Sequence, residues 1–202
     1  MADNGREMVT DEAEARLYEL ELATMEVPVV GVTPFLAHRF SEEAQRAIAD
    51  NQSGSHRAKK APRQPEREFA LCQYRLPDGR HGIPAAALKR SLVRACSYVD
   101  GLAMTVAEGA MQVMGGAILP FDRHTEPVMQ ADRVVIGRKI TSVAYRARYD
   151  EWEITVPVRF QANVVSPERL VNLFEIAGFA VGVGDWRPQC HGSFGMFEVR
   201  KG

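Results

Sequence analysis

From Trp152 to Val164 every second residue is apolar: Trp152, Ile154, Val156, Val158, Phe160, Ala162 and Val164, with Glu151, Glu153, Thr155, Pro157, Arg159, Gln161 and Asn163 in the alternate positions. Seven apolar positions on a period of two predict a strand with one buried and one wet face. The residues that follow are equally constrained. Ser166 and Pro167 suit an N-cap and a first helical residue, Leu170, Leu173, Phe174 and Ala177 recur at helical spacing, and Gly178 supplies a C-terminal stop. Five glycines fall between Gly178 and Gly195, and SFGMFEV, ending at Val199, reads as a last strand. The order is strand, helix, glycine-rich loop, strand.

Earlier in the chain, residues 1–16 carry no apolar period and read as an acidic flexible tail, with one domain over 17–202. LYELELATMEVPVVGV is the first core element, with Pro28 placing a break or an edge in it. Ser41 caps a short helix, SEEAQRAIAD. Residues 51–68 then hold Arg57, Lys59, Lys60, Arg63 and Arg67 against Glu66 and Glu68, with two prolines and little that is apolar. Such a segment buries too little to offset its ordering entropy, so it is expected to be a mobile basic loop, either a solvated linker or a nucleic-acid-binding arm.

FALCQYRLPDGRHGI predicts a strand pair around Pro77-Asp78-Gly79. Pro84 opens a helix in which Leu88, Leu92, Ala95 and Val99 share a face, leaving Lys89, Arg90 and Arg94 on the remaining surface. MQVMGGAILPF reads as a strand ending at Pro120, and DRHTEPVMQADRV as an irregular excursion. KITSVAYRARYD is a second clear strand. Paired with EWEITVPVRF through a tight connection near Asp150, it makes a hairpin that projects Arg146, Arg148 and Arg159 from one face.

A chain of 202 residues with 46% hydrophobic residues can bury a sizeable core. Its net charge of −1 predicts no partner, so any electrostatic argument must be local. No stretch approaches the roughly 20 apolar residues of a membrane span, and the acidic start is unlike a signal peptide, which points to the cytosol and away from membranes. Cys72, Cys96 and Cys190, odd in number and far apart, fit a reducing compartment.

The glycine loop admits two readings. Gly182, Gly184 and Gly192 lack side chains, so their amides can approach a phosphate as an anion nest. Equally, the loop is a tight connection passing close to a neighbouring helix. Without a GKS or GKT ending it is not a nucleotide-triphosphate loop. Within it, Trp186 either stacks on a base or plugs the core beneath the loop, the expectation being the plug; Arg187 either pairs with phosphate or bonds the loop's own carbonyls.

IPAAALKRSLVRA, residues 83–95, resembles the signature of the repeat-associated mysterious protein (RAMP) superfamily, in which isoleucine, proline and small residues open a helix bearing a lysine and an arginine. The glycine loop before a last strand resembles that superfamily's other hallmark. Ala85 to Ala87 stand where the superfamily has glycine and serine. The run AGFAVGVGDWRPQCHGSFGMFEV is also similar to uncharacterised proteins of tailed phages and prophages. The first resemblance implies an α+β, ferredoxin-like (RNA-recognition-motif-like) antiparallel sheet with helices on one face and loop insertions, gripping a nucleic-acid backbone. On such a sheet the hairpin arginines would line the open face, and Lys89, Arg90, Arg94, Arg146, Arg148 and Arg159 would track phosphates.

Catalysis has little support. The five histidines are scattered without an HExxH pattern, there is no CxxC pair, and neither a metal nor a cofactor is implied. Asp122, Asp132, Asp150 and Asp185 show no metal-ligand spacing, and Cys190 and His191, being neighbours, do not face one another as nucleophile and base. By the same resemblance, His38 and Asp185 are candidates for RNA cleavage. The expectation is therefore a non-enzymatic, largely sequence-independent protein that binds single-stranded DNA or RNA, phage-encoded and oligomerising along the strand. Two alternatives stay open: a phage factor that binds a host or phage protein on the same scaffold, and an RNA-processing endonuclease.

Overall fold

In a computed structural model of the protein, residues 20–40, 62–136 and 140–201 are described, together with positions 46 and 49, which are helical. The expected acidic tail, most of the helix capped by Ser41, and Arg57, Lys59 and Lys60 lie outside the described residues.

Alternation builds the central sheet as expected. Strand β8 (Glu153–Gln161) buries Ile154, Val156, Val158 and Phe160 to 1% exposure or less, each side chain contributing roughly 1.5–3 kcal/mol. It runs antiparallel to β1 (Leu22–Gly31), where Val27 faces Val156 and Val29 faces Ile154. Pro28 does not break β1, because the next strand, β9 (Phe197–Val199), pairs only with Val29, Val30 and Gly31 and asks no amide of Pro28. On the far side β8 pairs with β4 (Met111–Val113).

The resulting order is β4-β8-β1-β9, all antiparallel. Helix α2 (Ala85–Ala95) connects β1 to β4, and helix α4 (Pro167–Ile176) connects β8 to β9. Two βαβ units interleaved in this order are the ferredoxin-like topology. Both helices pack on the sheet's apolar face: Leu88, Leu92, Leu170, Leu173 and Phe174 join the cluster formed by Val27, Val29, Met111 and the inner residues of β8. The Ser166 hydroxyl caps α4 by accepting from the Arg169 amide at 3.3 Å.

Insertions complete the structure. Helix α1 (Pro65–Leu71) and strand β3 (Gly82–Pro84) precede α2, and helix α3 (Met104–Ala110) follows it. Strand β5 (Ile118–Pro120) pairs with β3. A second sheet, ordered β2-β7-β6, holds β2 (Phe35–Ala37), β6 (Val128–Ile136) and β7 (Ile140–Tyr149).

Four expectations are corrected. The expected hairpin of β7 with β8 does not form: β7 pairs with β6 over nine residue pairs, and the residues read as an irregular excursion supply that partner. Both edges of β8 are already taken by β1 and β4. Phe69 to Leu71 are helical rather than strand, so of the expected strand pair only the turn and a single Arg75–His81 bridge survive. The segment expected to be mobile to residue 68 is helical from Pro65. Gly178 does not stop α4: the chain continues as a π-turn (Ala177–Val181) and turns at Gly182, with φ +70°. A Cβ at Gly178 would collide with the Phe197 carbonyl, so that glycine serves packing against β9.

Candidate functional site

The glycine loop is threaded through the molecule. Its amides are largely engaged within the fold: Gly182 N–H donates to Ala177 O (2.7 Å), Val183 N–H to Gly195 O (2.9 Å), Asp185 N–H to Leu36 O (2.8 Å) and Gly192 N–H to Arg187 O (3.1 Å). This overturns the anion-nest reading for Gly182 and Gly192. The glycines are there because neighbours leave no room. A Cβ at Gly184 would meet Leu36 O and the Phe35 ring at 2.6 Å, and one at Gly192 would collide with the Trp186 carbonyl. Ser91 of α2 donates to Gly182 O at 3.0 Å, fixing the loop against the helix that carries the other motif. The two sequence motifs thus meet directly.

Between them lies a cleft of ≈ 280 Å³. Arg90 and Ala87 line it from α2, Gly182, Val183, Gly184, Asp185, Arg187 and Gln189 from the loop, and His38 and Tyr74 from the segments after β2 and α1. Arg90 is exposed and forms no ion pair among the described residues. Among the described residues Arg187 bonds neutral groups, Gly184 O at 3.1 Å and Gln189 Oε1 at 3.2–3.3 Å, and forms no ion pair. Burial raises the Tyr74 hydroxyl's pKa, against the pull of the nearby Arg39 and Arg90 guanidiniums. Arg39 and Tyr74 escaped the sequence reading because they lie outside both motifs, and Gln189, within the glycine loop, because an uncharged amide there carries no signal of its own.

Among the described residues one carboxylate, Asp185, faces this cationic wall. Its Oδ2 lies 2.8 Å from Arg146 Nε and 3.4 Å from His38 Nδ1. Hydrogen bonding to His38, followed by that to Arg146, lowers its pKa from 3.8 to about 2 against the opposing effect of burial. The residues named for possible RNA cleavage are thereby brought together, although separated by most of the chain. No group of His, Cys, Asp and Glu that could hold a metal occurs among the described residues.

Arg146 itself is misplaced by the sequence reading. It is 4% exposed, pairs with Asp132 at 3.0 Å as well as Asp185, and does not line an open face. The reason is the second sheet: β7 lies under the glycine loop, where a buried guanidinium needs two acceptors. Its Cζ sits 5.7 Å from the ring centroid of Trp186. Trp186 is 46% exposed, so the plug reading fails; it holds φ +51°, and with His191 (+61°) it is one of two non-glycine residues at positive φ among those described. Arg187 does bond a loop carbonyl, as that reading had it.

The remaining basic residues do not converge. Lys89 reaches away to Gln112 Oε1 of β4 at 2.8 Å, and Arg94 is exposed further along α2. Arg148 is tied to Asp150 at 2.7 Å. Arg159 alone of the expected three occupies the sheet's exposed face, opposite Thr24 and Gln112. Arg63 chelates Glu68 at 2.6–2.9 Å and donates to Ser142 Oγ at 3.0 Å.

No protein-family model matches the sequence, and no curated protein does. Among solved structures, a chain of the type III-B Cmr-β complex bound to cognate target RNA matches with a TM-score of 0.57 at 14% identity, over 90% of this chain and 60% of that one. Cmr6 from Pyrococcus furiosus matches at a TM-score of 0.42 and 12% identity, over 90% and 100% of the respective chains, too distant to carry an argument. This chain thus spans less than two thirds of the length of the first neighbour. The chain adopts a ferredoxin-like fold, as the two motifs implied, and its likeness to the first neighbour is one of fold. No described helix is long and apolar enough to cross a membrane.

Proposed function

We propose that the protein binds single-stranded nucleic acid, RNA or DNA, along its sugar–phosphate backbone and without cleaving it. The observation that carries this reading is the cleft where Arg90 and Arg187, neither in an ion pair among the described residues, flank the junction of the two motifs. Its one carboxylate is offset by buried Arg146. Trp186, half exposed and in a strained backbone conformation, offers a stacking surface at the same loop. The sheet's exposed face carries Thr24, Glu26, Gln112 and Arg159, with no aromatic ring on which to stack a base, which turns attention to the cleft. The fold's neighbour in an RNA-bound complex favours RNA as the first ligand to try. Side-by-side assembly on the strand, a phage-borne setting inside a bacterial cell, and freedom from metal or cofactor are parts of the same proposal.

Binding of labelled single strands between about 50 and 200 mM salt tests it, because each phosphate neutralised releases counterions. A steep fall in affinity with salt and indifference to sequence are expected. No binding at the low end, or affinity flat with salt, would refute it.

A second reading, an RNA-processing endonuclease, is favoured by the 3.4 Å approach of His38 to Asp185. The carboxylate would orient an imidazole acting on a 2′-hydroxyl. Labelled RNA that survives prolonged incubation intact would remove it, whereas cleavage lost in His38→Ala would establish it.

A further inference from the structure

Strand β6 (Val128–Ile136) ends the second sheet, and nothing among the described residues pairs with its outer edge. The other strands that end a sheet, β2, β4, β9, β3 and β5, are three residues long. A nine-residue edge without proline or glycine is a template for another strand. Exposed apolar side chains accompany it: Val135 is 61% exposed, Val128 49% and Met129 38%. Edges of this kind are normally blocked by charge, and β6 has only Asp132, already neutralised by Arg146, and Arg133.

We propose that β6 pairs antiparallel with β6 of a second copy of this chain, extending the three-stranded sheets into one of six strands across a two-fold axis. Side-chain complementarity selects the partner and the register. A two-fold axis normal to the sheet sets one residue opposite its own copy. Centred on Asp132 it opposes two carboxylates, and centred on Arg133 two guanidiniums; like charges directly opposite are destabilising. Centred on Ala131, it sets Gln130 against Asp132 of the second copy, Val128 against Val134, and the Arg133 stem along Met129, each contact made twice. Such a contact closes as a dimer, so assembly along a strand would use another surface. The proposal does not rest on the nucleic-acid reading.

The test is the mass of the nucleic-acid-free protein in solution by sedimentation equilibrium. A reversible dimer is expected, and a monomer up to the highest soluble concentration would overturn the proposal. Ala131→Lys puts two ammonium groups at the axis on an exposed site and should weaken the dimer at least about tenfold; an unchanged dimer rejects the interface. Circular dichroism and thermal unfolding check that the variant folds. To cover a variant that does not, Ala131→Cys in a Cys190→Ser background should form a disulfide-linked dimer on oxidation and Arg133→Cys should not. Equal cross-linking of the two would refute the register.

Discussion

Arg146 Nε stands 2.8 Å from Asp185 Oδ2, joining the middle of β7 to the glycine loop across thirty-nine residues of sequence. The pair decides where the cleft's one carboxylate points and props the ring of Trp186. Because the guanidinium is buried and bonded to two carboxylates, removing it takes the cation from Asp132 and leaves Asp185 with His38 alone.

Arg146→Met should therefore destabilise the protein by about 3–5 kcal/mol in urea unfolding, more than substitution of exposed Arg159. A loss below about 1 kcal/mol would show that the pair contributes little.

Acid should weaken the fold through Asp185. Its folded pKa of about 2 lies below the ordinary 3.8, so its contribution is complete above about pH 4 and is lost as pH falls through 2. The carboxylate is 36% exposed, and after solvent screening the contribution is on the order of 1 kcal/mol. Asp185→Asn should flatten the acid limb of the urea midpoint plotted against pH; an unchanged limb would assign it to other carboxylates.

Gly184→Ala combines a φ of +81° with contact against Leu36 O and the Phe35 ring. A loss of about 2 kcal/mol or more is expected, read as a lower thermal midpoint. Gly79→Ala, also at positive φ but with nothing within 4 Å, should cost less and separates collision from backbone strain.

For ligand binding, Arg90→Ala and Arg187→Ala should each reduce affinity for every single strand alike and lower the salt slope by about 1. Arg148→Ala, whose charge is engaged by Asp150, should leave the slope unchanged. Equal effects at all three sites would place binding away from the cleft. Trp186→Ala should cost about 1–3 kcal/mol of binding with little change in stability.

Cys190 is exposed while Cys72 and Cys96 are buried, and burial foremost pushes the Cys72 thiol up to about 11. A thiol reagent should modify one cysteine per folded chain. Prompt modification of all three would mean that the packing at the C-terminal ends of α1 and α2, where Cys72 and Cys96 sit, opens readily.

Much of the central sheet was legible because it is written locally. Alternation in β8, the Ser166 cap and the apolar face of α2 depend on residues a few positions apart, and the two motifs pointed to the fold they build. The candidate site was legible in part: Arg90 and Arg187 meet because Ser91 ties α2 to Gly182 O, a contact ninety-one residues long. Tyr74, which enters the cleft, and Arg39, which acts on its hydroxyl, carried no signal, since each sits on a short segment whose position is fixed by β2 and α1 packing on β7.

By itself the sequence determined which residues alternate, where helices begin and that glycine must occupy the loop. Only the tertiary structure decided what those glycines face. They accommodate β2, β9 and the loop's own backbone, and the amides that local reasoning offered to a phosphate are largely bonded within the protein. It likewise decided that β7 pairs with β6 and not β8, and so that Arg146 is buried between Asp132 and Asp185. Periodicity specifies the face of an element, whereas its neighbour is set by competition among all available edges, and a charge's role follows from that neighbour.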